Sequence, residues 1–199
     1  ALNFNSYKNQ LALFSAPTEV VIDLNFLDSL NDKDYNSGLG EIVKLFITGG
    51  ENLLESYDFI SLKEKIQESL MVKKAVIEND EFELSIRKSL NYGHTFGHAI
   101  ESLSEYEIPH GLAIVLGMYI ISKLFPTDKN IISFLERTFD LSYLKKIDTA
   151  ELFHLIKTDK KTSGNKICFI HSPKVGETNF IYEQLDDNLK KRLHEVLTY

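Results

Sequence analysis

Arg87-Lys88-Ser89-Leu90-Asn91-Tyr92-Gly93-His94-Thr95-Phe96-Gly97-His98 is the stretch on which the reading of this chain turns. Wound as one helix at about 100° per residue from Arg87, it brings Asn91 to about 40°, His94 to about −20° and His98 to about 20°, with Phe96, Ile100 and Leu103 on the opposite side. A single polar stripe results, which Arg87 joins if the helix begins before it. Solvated helix faces are ordinarily built from Glu and Lys, whereas this one is Arg, Asn, His and His. Gly93 and Gly97 also stand one turn apart inside the expected helix, each costing about 1 kcal/mol relative to Ala. Such a cost points to a place where something must approach closely.

Two histidines on one stripe with a third nearby suit a divalent metal, because neutral imidazole is a common zinc ligand. His110 supplies the third, after a short loop and before Gly111 at a helix start. A catalytic zinc site needs about three protein ligands, often with a carboxylate among them, and an open position. Among the carboxylates Glu41 stands out, set between Gly40 and Ile42 in an apolar stretch, with Lys44 one turn away. The plain alternative for Glu41 and Lys44 is a surface ion pair at i,i+3. On spacing alone His98 is as good a ligand as His94, since paired histidines at i,i+4 often bind metal. His154, His171 and His194 have no comparable company and read as packing or surface residues.

Around this segment the chain is mainly helical from Asp34 onward, with apolar residues at helical spacing and only four prolines. Ser37 is the expected N-cap of a helix through Glu41 to Gly49-Gly50, and Ser61 opens a second toward Asp80. Ser85 begins a third that ends near Leu103. Pro109-His110-Gly111 starts a fourth running to Phe125, and Pro126-Thr127-Asp128 caps a fifth over Ile131 to Phe139. Strand signals are confined to Glu19–Ile22, Lys166–Ile170 and Asn179–Tyr182, the latter two pairing as a hairpin around Pro173 to Glu177. The strand near Val20 is an orphan, which suggests partner strands upstream.

The 199 residues carry 22 Lys+Arg against 29 Asp+Glu, a formal net charge of −7, so a nucleic acid is not the expected partner. With 43% hydrophobic and 26% charged residues the composition is that of a globular domain with a sizeable core. The longest apolar run, Leu112 to Phe125, is broken by Gly117, Ser122 and Lys123 and falls short of a membrane span. A lone Cys168 excludes an intrachain disulfide and favours the cytoplasm. The first residue is Ala1, and no signal peptide is visible, so the chain reads as a piece of a longer protein.

Taken in order, Ser37-Gly38-Leu39-Gly40-Glu41-Ile42-Val43-Lys44, Lys73 with Asp80-Glu81, Arg87, Leu90-Asn91-Tyr92-Gly93-His94-Thr95-Phe96-Gly97-His98-Ala99-Ile100-Glu101 and His110-Gly111 resemble the 3-dehydroquinate synthase family. Lys8-Asn9 with Phe14, Pro17 and Asp23 resembles an upstream segment of that family, and Asp159-Lys160-Lys161 a downstream one. The resemblance runs from about residue 7 to about residue 182.

It implies metal ligands at Glu41, His94 and His110, the ion being Zn2+ or Co2+. His98 then becomes a substrate-site residue which, with Asn91, lies near a phosphate. Lys44, Lys73 and Arg87 match positions that contact substrate hydroxyls and carboxylate. Lys8, Asn9 and Lys160 (or Lys161) match positions lining the cofactor and phosphate region, and Phe26-Leu27-Asp28-Ser29 a stretch touching the nucleotide of NAD. The implied fold is the mainly α C-terminal metal-binding domain of a dehydroquinate synthase, with a short N-terminal strand and a small β-hairpin. Residues 1–33 are expected to be the end of the nucleotide-binding domain and a linker, and residues 34–199 the metal- and substrate-binding domain.

The implied activity is that of an NAD-dependent, metal-requiring lyase of the shikimate pathway of aromatic amino acid biosynthesis. It converts 3-deoxy-D-arabino-heptulosonate 7-phosphate to 3-dehydroquinate and phosphate. The partners implied are that small anionic sugar-acid phosphate, the N-terminal nucleotide-binding domain and a second copy in a homodimer, with neither nucleic acid nor membrane. Leu112 departs from the family's usual Glu, and Ala12 and Tyr7 from its glycines. Two rival readings are another sugar phosphate cyclase, of the valiolone or scyllo-inosose type, and a non-catalytic helical module that binds a partner.

Overall fold

The helix around which the others gather is His110–Leu124. It is apolar all round, and eleven of its fifteen residues are buried, which places it at the centre rather than on the surface. A computed structural model describes residues 2–4, 7–13, 18–158 and 165–198, the side chains of 3, 7–9 and 158 excepted. In chain order these residues form β1 (Leu2–Phe4), β2 (Tyr7–Leu11), α1 (Asp32–Gly49), α2 (Glu51–Ser56), α3 (Leu62–Asn79), α4 (His94–Leu103), α5 (His110–Leu124), α6 (Lys129–Thr138), α7 (Thr149–Thr158), β3 (Lys166–His171), β4 (Asn179–Gln184) and α8 (Asp187–Thr198). Short 310 turns cover Leu24–Ser29, Ile86–Asn91 and Ser142–Lys146. Around α5 pack α1, α4, α6 and α8, and α3 lies on the far side of α1. Phe96 of α4, fully buried, stacks on Phe169 of β3 with ring centroids 5.2 Å apart, so truncating it to Ala would cost about 3–5 kcal/mol. Among the described residues no helix is long and apolar enough to cross a membrane.

The expected hairpin of β3 and β4 is present, antiparallel, from Lys166 opposite Gln184 to His171 opposite Asn179. Helix α3 starts where expected, through a capping box: Ser61 Oγ accepts the Glu64 N–H, and the Glu64 carboxylate accepts the Ser61 N–H at 2.7 Å. Asp128 caps α6 and Pro109 precedes α5, also as expected.

Three expectations are corrected. The N-terminal β structure is a hairpin of β1 and β2, with Leu2 opposite Leu11, whereas Val20, Val21 and Ile22 lie outside any strand and are exposed by half or more. Among the described residues their apolar pattern joins no ladder. Helix α1 starts at Asp32, not after Ser37, because Asn31 accepts the Asp34 N–H at 2.9 Å and Asp32 and Asp34 sit at the positive end of the helix. The third helix starts at His94 rather than near Ser85. Gly93 turns the chain there with φ +79°, and a Cβ on it would stand 2.5 Å from the Ile114 carbonyl oxygen. Arg87 and Asn91 therefore belong to a 310 turn, not to the polar stripe of α4. Helices α2, α7 and α8 complete the bundle beyond the five helices expected.

Candidate metal centre

Three helices converge to place the candidate ligands. Glu41 comes from the middle of α1, His94 from the first residue of α4 and His110 from the first residue of α5. Their close approach depends on glycine: a Cβ on Gly40 would lie 2.3 Å from the Gly111 carbonyl oxygen, and one on Gly117 would lie 2.1 Å from that of Gly93. The close contact that the glycines at 93 and 97 implied is thus with α5.

One potential donor atom from each of Glu41, His94 and His110 lies within 4.8 Å of the others. Glu41 Oε1 is buried and has no hydrogen-bond partner among the described residues, and its contact with His110 Nε2, at 3.4 Å, is not a directed hydrogen bond. Two ligands held at about 2.1 Å by a tetrahedral ion stand about 3.4 Å apart. The orphan oxygen and the imidazole facing it are therefore spaced as co-ligands, and the site fits a divalent ion. His94 Nδ1 lies 3.2 Å from the Tyr92 carbonyl oxygen, and His110 Nδ1 lies 3.1 Å from Glu101 Oε2. Carbonyl and carboxylate accept, so a neutral ring at either position that donates from Nδ1 has its lone pair on Nε2.

The charges agree with this arrangement. Burial pushes the Glu41 carboxyl up, but the neighbouring His110 and the Lys44 ammonium outweigh it and hold the group at about 2. Burial and the Lys44 charge drive His94 down to about 3, which keeps it the neutral, metal-binding form. The Glu41 carboxylate raises His110, against burial, with Glu101 adding to it. Lys44 is itself lowered by burial and by Lys73, against the pull of Glu41. Glu41 Oε2 and Lys44 Nζ form the i,i+3 pair at 2.7 Å, yet Lys44 is only 4% exposed, so the pair is part of the site and not a surface contact.

Beside this trio is a cavity of about 260 Å3 lined by Lys44, Lys73, Glu83, Arg87 and Asn91 along with Glu41 and His94. Lys73 reaches it from α3, and the Arg87 guanidinium is held by the Glu81 carbonyl. The loop that carries Arg87 is organised by Asp80, whose carboxylate accepts the N–H groups of Leu84, Ser85 and Arg87 at 2.7 to 3.0 Å. Glu83 adopts a left-handed φ of 58° and accepts from Asn91 Nδ2 at 2.5 Å. Sequence reasoning missed Glu83, because a loop residue at positive φ leaves no periodic signal. It also gave Glu101 no role, although seven residues after His94 is two turns along the same face.

His98 is exposed, and its ring lies 5.3 Å from that of His94 and 5.8 Å from that of His110. With Glu101 and His110 it forms the second group of three possible donors among the described residues. The 310 turn places Phe26 and Asp28 on the surface, with Ser29 Oγ donating to the Phe26 carbonyl and Leu27 half-buried. Lys8 and Asn9 lie in β2, but their side chains, like Phe14, Pro17 and all of Asp159, Lys160 and Lys161, fall outside the described residues. A larger cavity of about 520 Å3, between the Ser142–Lys146 turn, the start of α7 and α8, gathers no group of three possible metal ligands among the described residues.

Residues 38–162 match the family model described as 3-dehydroquinate synthase C-terminal. The chain belongs to the 3-dehydroquinate synthase family. It is 33% identical over 212 residues to the 3-dehydroquinate synthase of Dictyoglomus thermophilum, covering 96% of this chain and 59% of that protein. To the enzyme of that name from Helicobacter pylori strain G27 it is 36% identical over 182 residues, covering 85% and 53%. The chain thus spans between half and three-fifths of the length of these relatives. A crystal structure of 2-deoxy-scyllo-inosose synthase shares the fold, with a TM-score of 0.74 at 23% identity over 98% of this chain and 59% of its own. A second structure of that enzyme, complexed with carbaglucose-6-phosphate, NAD+ and Co2+, gives 0.72 at 22% identity over 100% and 60%.

Proposed function

We propose that this chain is the metal- and substrate-binding part of a 3-dehydroquinate synthase that converts 3-deoxy-D-arabino-heptulosonate 7-phosphate to 3-dehydroquinate and phosphate. The observation that carries the reading is the 3.4 Å separation of the orphan Glu41 Oε1 from His110 Nε2, with His94 beside them and a cationic cavity alongside. Residues 34–199 form the metal- and substrate-binding domain, and residues 1–33 the end of the nucleotide-binding domain with its linker. Glu41, His94 and His110 hold Zn2+ or Co2+ in this reading.

Bound there, the ion would supply Lewis-acid stabilisation of alkoxide character on a substrate oxygen whose O–H gives up a proton, and NAD+ would supply the acceptor for the hydride from the carbon that bears it. Lys44, Lys73 and Arg87 bind the carboxylate and hydroxyls of an anionic substrate that an acidic protein would otherwise repel. Asn91, oriented by Glu83, and His98 stand on the phosphate side. Once the carbinol is a ketone, the neighbouring C–H is acidic enough to be lost as a proton while the C–O bond to phosphate breaks, and return of the hydride from NADH keeps the whole conversion redox-neutral. His98 holds that leaving group or relays its proton. Lys160 takes a phosphate-side position, while Lys8, Asn9 and Phe26 to Ser29 border the nucleotide. The whole protein works in the cytoplasm as a homodimer.

The other sugar phosphate cyclases share the fold, so the test compares substrates. The full-length protein is given the heptulosonate phosphate, sedoheptulose 7-phosphate and glucose 6-phosphate, and NAD-dependent phosphate release is measured. Release from the first alone supports the assignment. Release from one of the others moves the protein to a sister activity, and release from none, with no metal retained, favours a non-catalytic module.

A further inference from the structure

His110 Nε2 faces Glu41, but nothing in an imidazole by itself decides which nitrogen carries the proton. In this chain the group beside the other nitrogen is Glu101. Its carboxylate is 5% exposed, and Oε2 stands 3.1 Å from His110 Nδ1. The last turn of α4 carries it, two turns after His94 on the same face, so one helix supplies a candidate ligand and grips the ring of another. His94 has the corresponding arrangement with a backbone carbonyl, at 3.2 Å from Tyr92 O.

We propose that Glu101 is a positioning residue of the metal centre: it fixes His110 as the Nδ1–H tautomer and sets the ring plane so that Nε2 is the ligand atom. The proposal rests on the reading of Glu41, His94 and His110 as a metal site. The competing role for Glu101 is direct ligation with His98 and His110, the second donor group. That role would require His110 to turn away from Glu41 or to give up its Nδ1 proton. A buried carboxylate donating negative charge through an imidazole also makes Nε2 a stronger donor to a cation.

The test is Co2+ binding to full-length protein, read by the visible ligand-field bands of the ion and by affinity, in wild type, Glu101→Ala, Glu101→Gln and His94→Ala. Glutamine keeps the volume and an acceptor oxygen for Nδ1–H. The expected result is that Glu101→Ala binds about 10–100-fold more weakly, and that Glu101→Gln recovers most of the loss with the wild-type band pattern. Equal affinity in wild type and Glu101→Ala overturns the proposal, as does a Glu101→Gln variant that folds but shows shifted bands and the full Ala loss, the mark of a lost ligand. If wild type binds no stoichiometric Co2+, or His94→Ala binds it unchanged, the underlying metal reading fails instead, and the two failures are told apart.

Discussion

Gly111 lies so close to Ser37 that a Cβ on it would stand 1.8 Å from the Ser37 carbonyl oxygen, while Ser37 Oγ accepts the Gly111 N–H at 2.8 Å. This contact locks α1 onto the N-terminus of α5, and it brings Glu41, one turn after Ser37, to His110, the residue before Gly111. Gly111→Ala cannot be relieved by moving a side chain, because the obstacle is backbone. It is expected to destabilise the fold by about 1–3 kcal/mol, the usual range for overpacking, and to lower metal affinity by separating the ligands. Ser37→Ala removes only the hydrogen bond and is expected to cost about 0.5–1.5 kcal/mol. Thermal melting with and without Zn2+ measures both, and a Gly111→Ala protein with wild-type melting and metal binding would refute the role given to this contact.

The Asp80 loop sets an acid limit. Partial burial alone would raise this carboxyl, but backbone donors from Arg87, Ser85 and Leu84 hold it at about 2, below its unfolded value of about 3.9. A depressed folded pKa contributes stability that is present above the unfolded value and is lost as pH falls through the folded one. Loop order is therefore expected to hold down to about pH 4 and to decline toward pH 2. Amide exchange at Leu84, Ser85 and Arg87 reads it directly. In Asp80→Ala these amides should exchange rapidly already at neutral pH, with substrate affinity reduced because Arg87 is released. Unchanged protection in that variant would contradict the assignment.

Arg87 and Lys73 face the same cavity but differ in restraint. Arg87 is half-buried and its guanidinium is held by a carbonyl, whereas Lys73 is exposed. In full-length protein Arg87→Ala is expected to lower kcat/KM for the heptulosonate phosphate by about 10–100-fold, the equivalent of one hydrogen bond to a charged group. Arg87→Lys should recover little, because an ammonium does not reproduce the planar fork. Lys73→Ala should act mainly on KM. Steady-state kinetics on the three variants decides, and an Arg87→Lys enzyme equal to wild type would show that only charge matters there.

Much of this was legible in the residues. Ser61 announced the start of α3, Pro109-His110 that of α5, and the glycines at 93 and 97 a close approach, which the structure shows to be with α5. What was not legible depends on contacts between distant segments. Ser37 has the side chain of an N-cap, but it does not open α1 and instead accepts the Gly111 N–H at the start of α5, across the bundle. Arg87 and Asn91 match a helical stripe in spacing, but the left-handed Gly93 breaks the helix, so they reach the cavity from a 310 turn by another route. Val20 to Ile22 carry a β pattern but pair with no strand among the described residues. The approach of Glu101 to His110 Nδ1 and the left-handed turn at Glu83 follow from tertiary geometry, which one-dimensional spacing does not encode.

The central claim is the identity of the three ligands, and the single most direct measurement is zinc stoichiometry and affinity by titration calorimetry on full-length wild type, His94→Ala, His98→Ala and His110→Ala. One ion per chain is expected in wild type and in His98→Ala, the latter with phosphate release slowed by about 10²–10⁴-fold if His98 assists proton transfer. His94→Ala and His110→Ala should lose the ion. Metal that vanished in His98→Ala and persisted in His110→Ala would contradict the account and hand the third ligand position to His98.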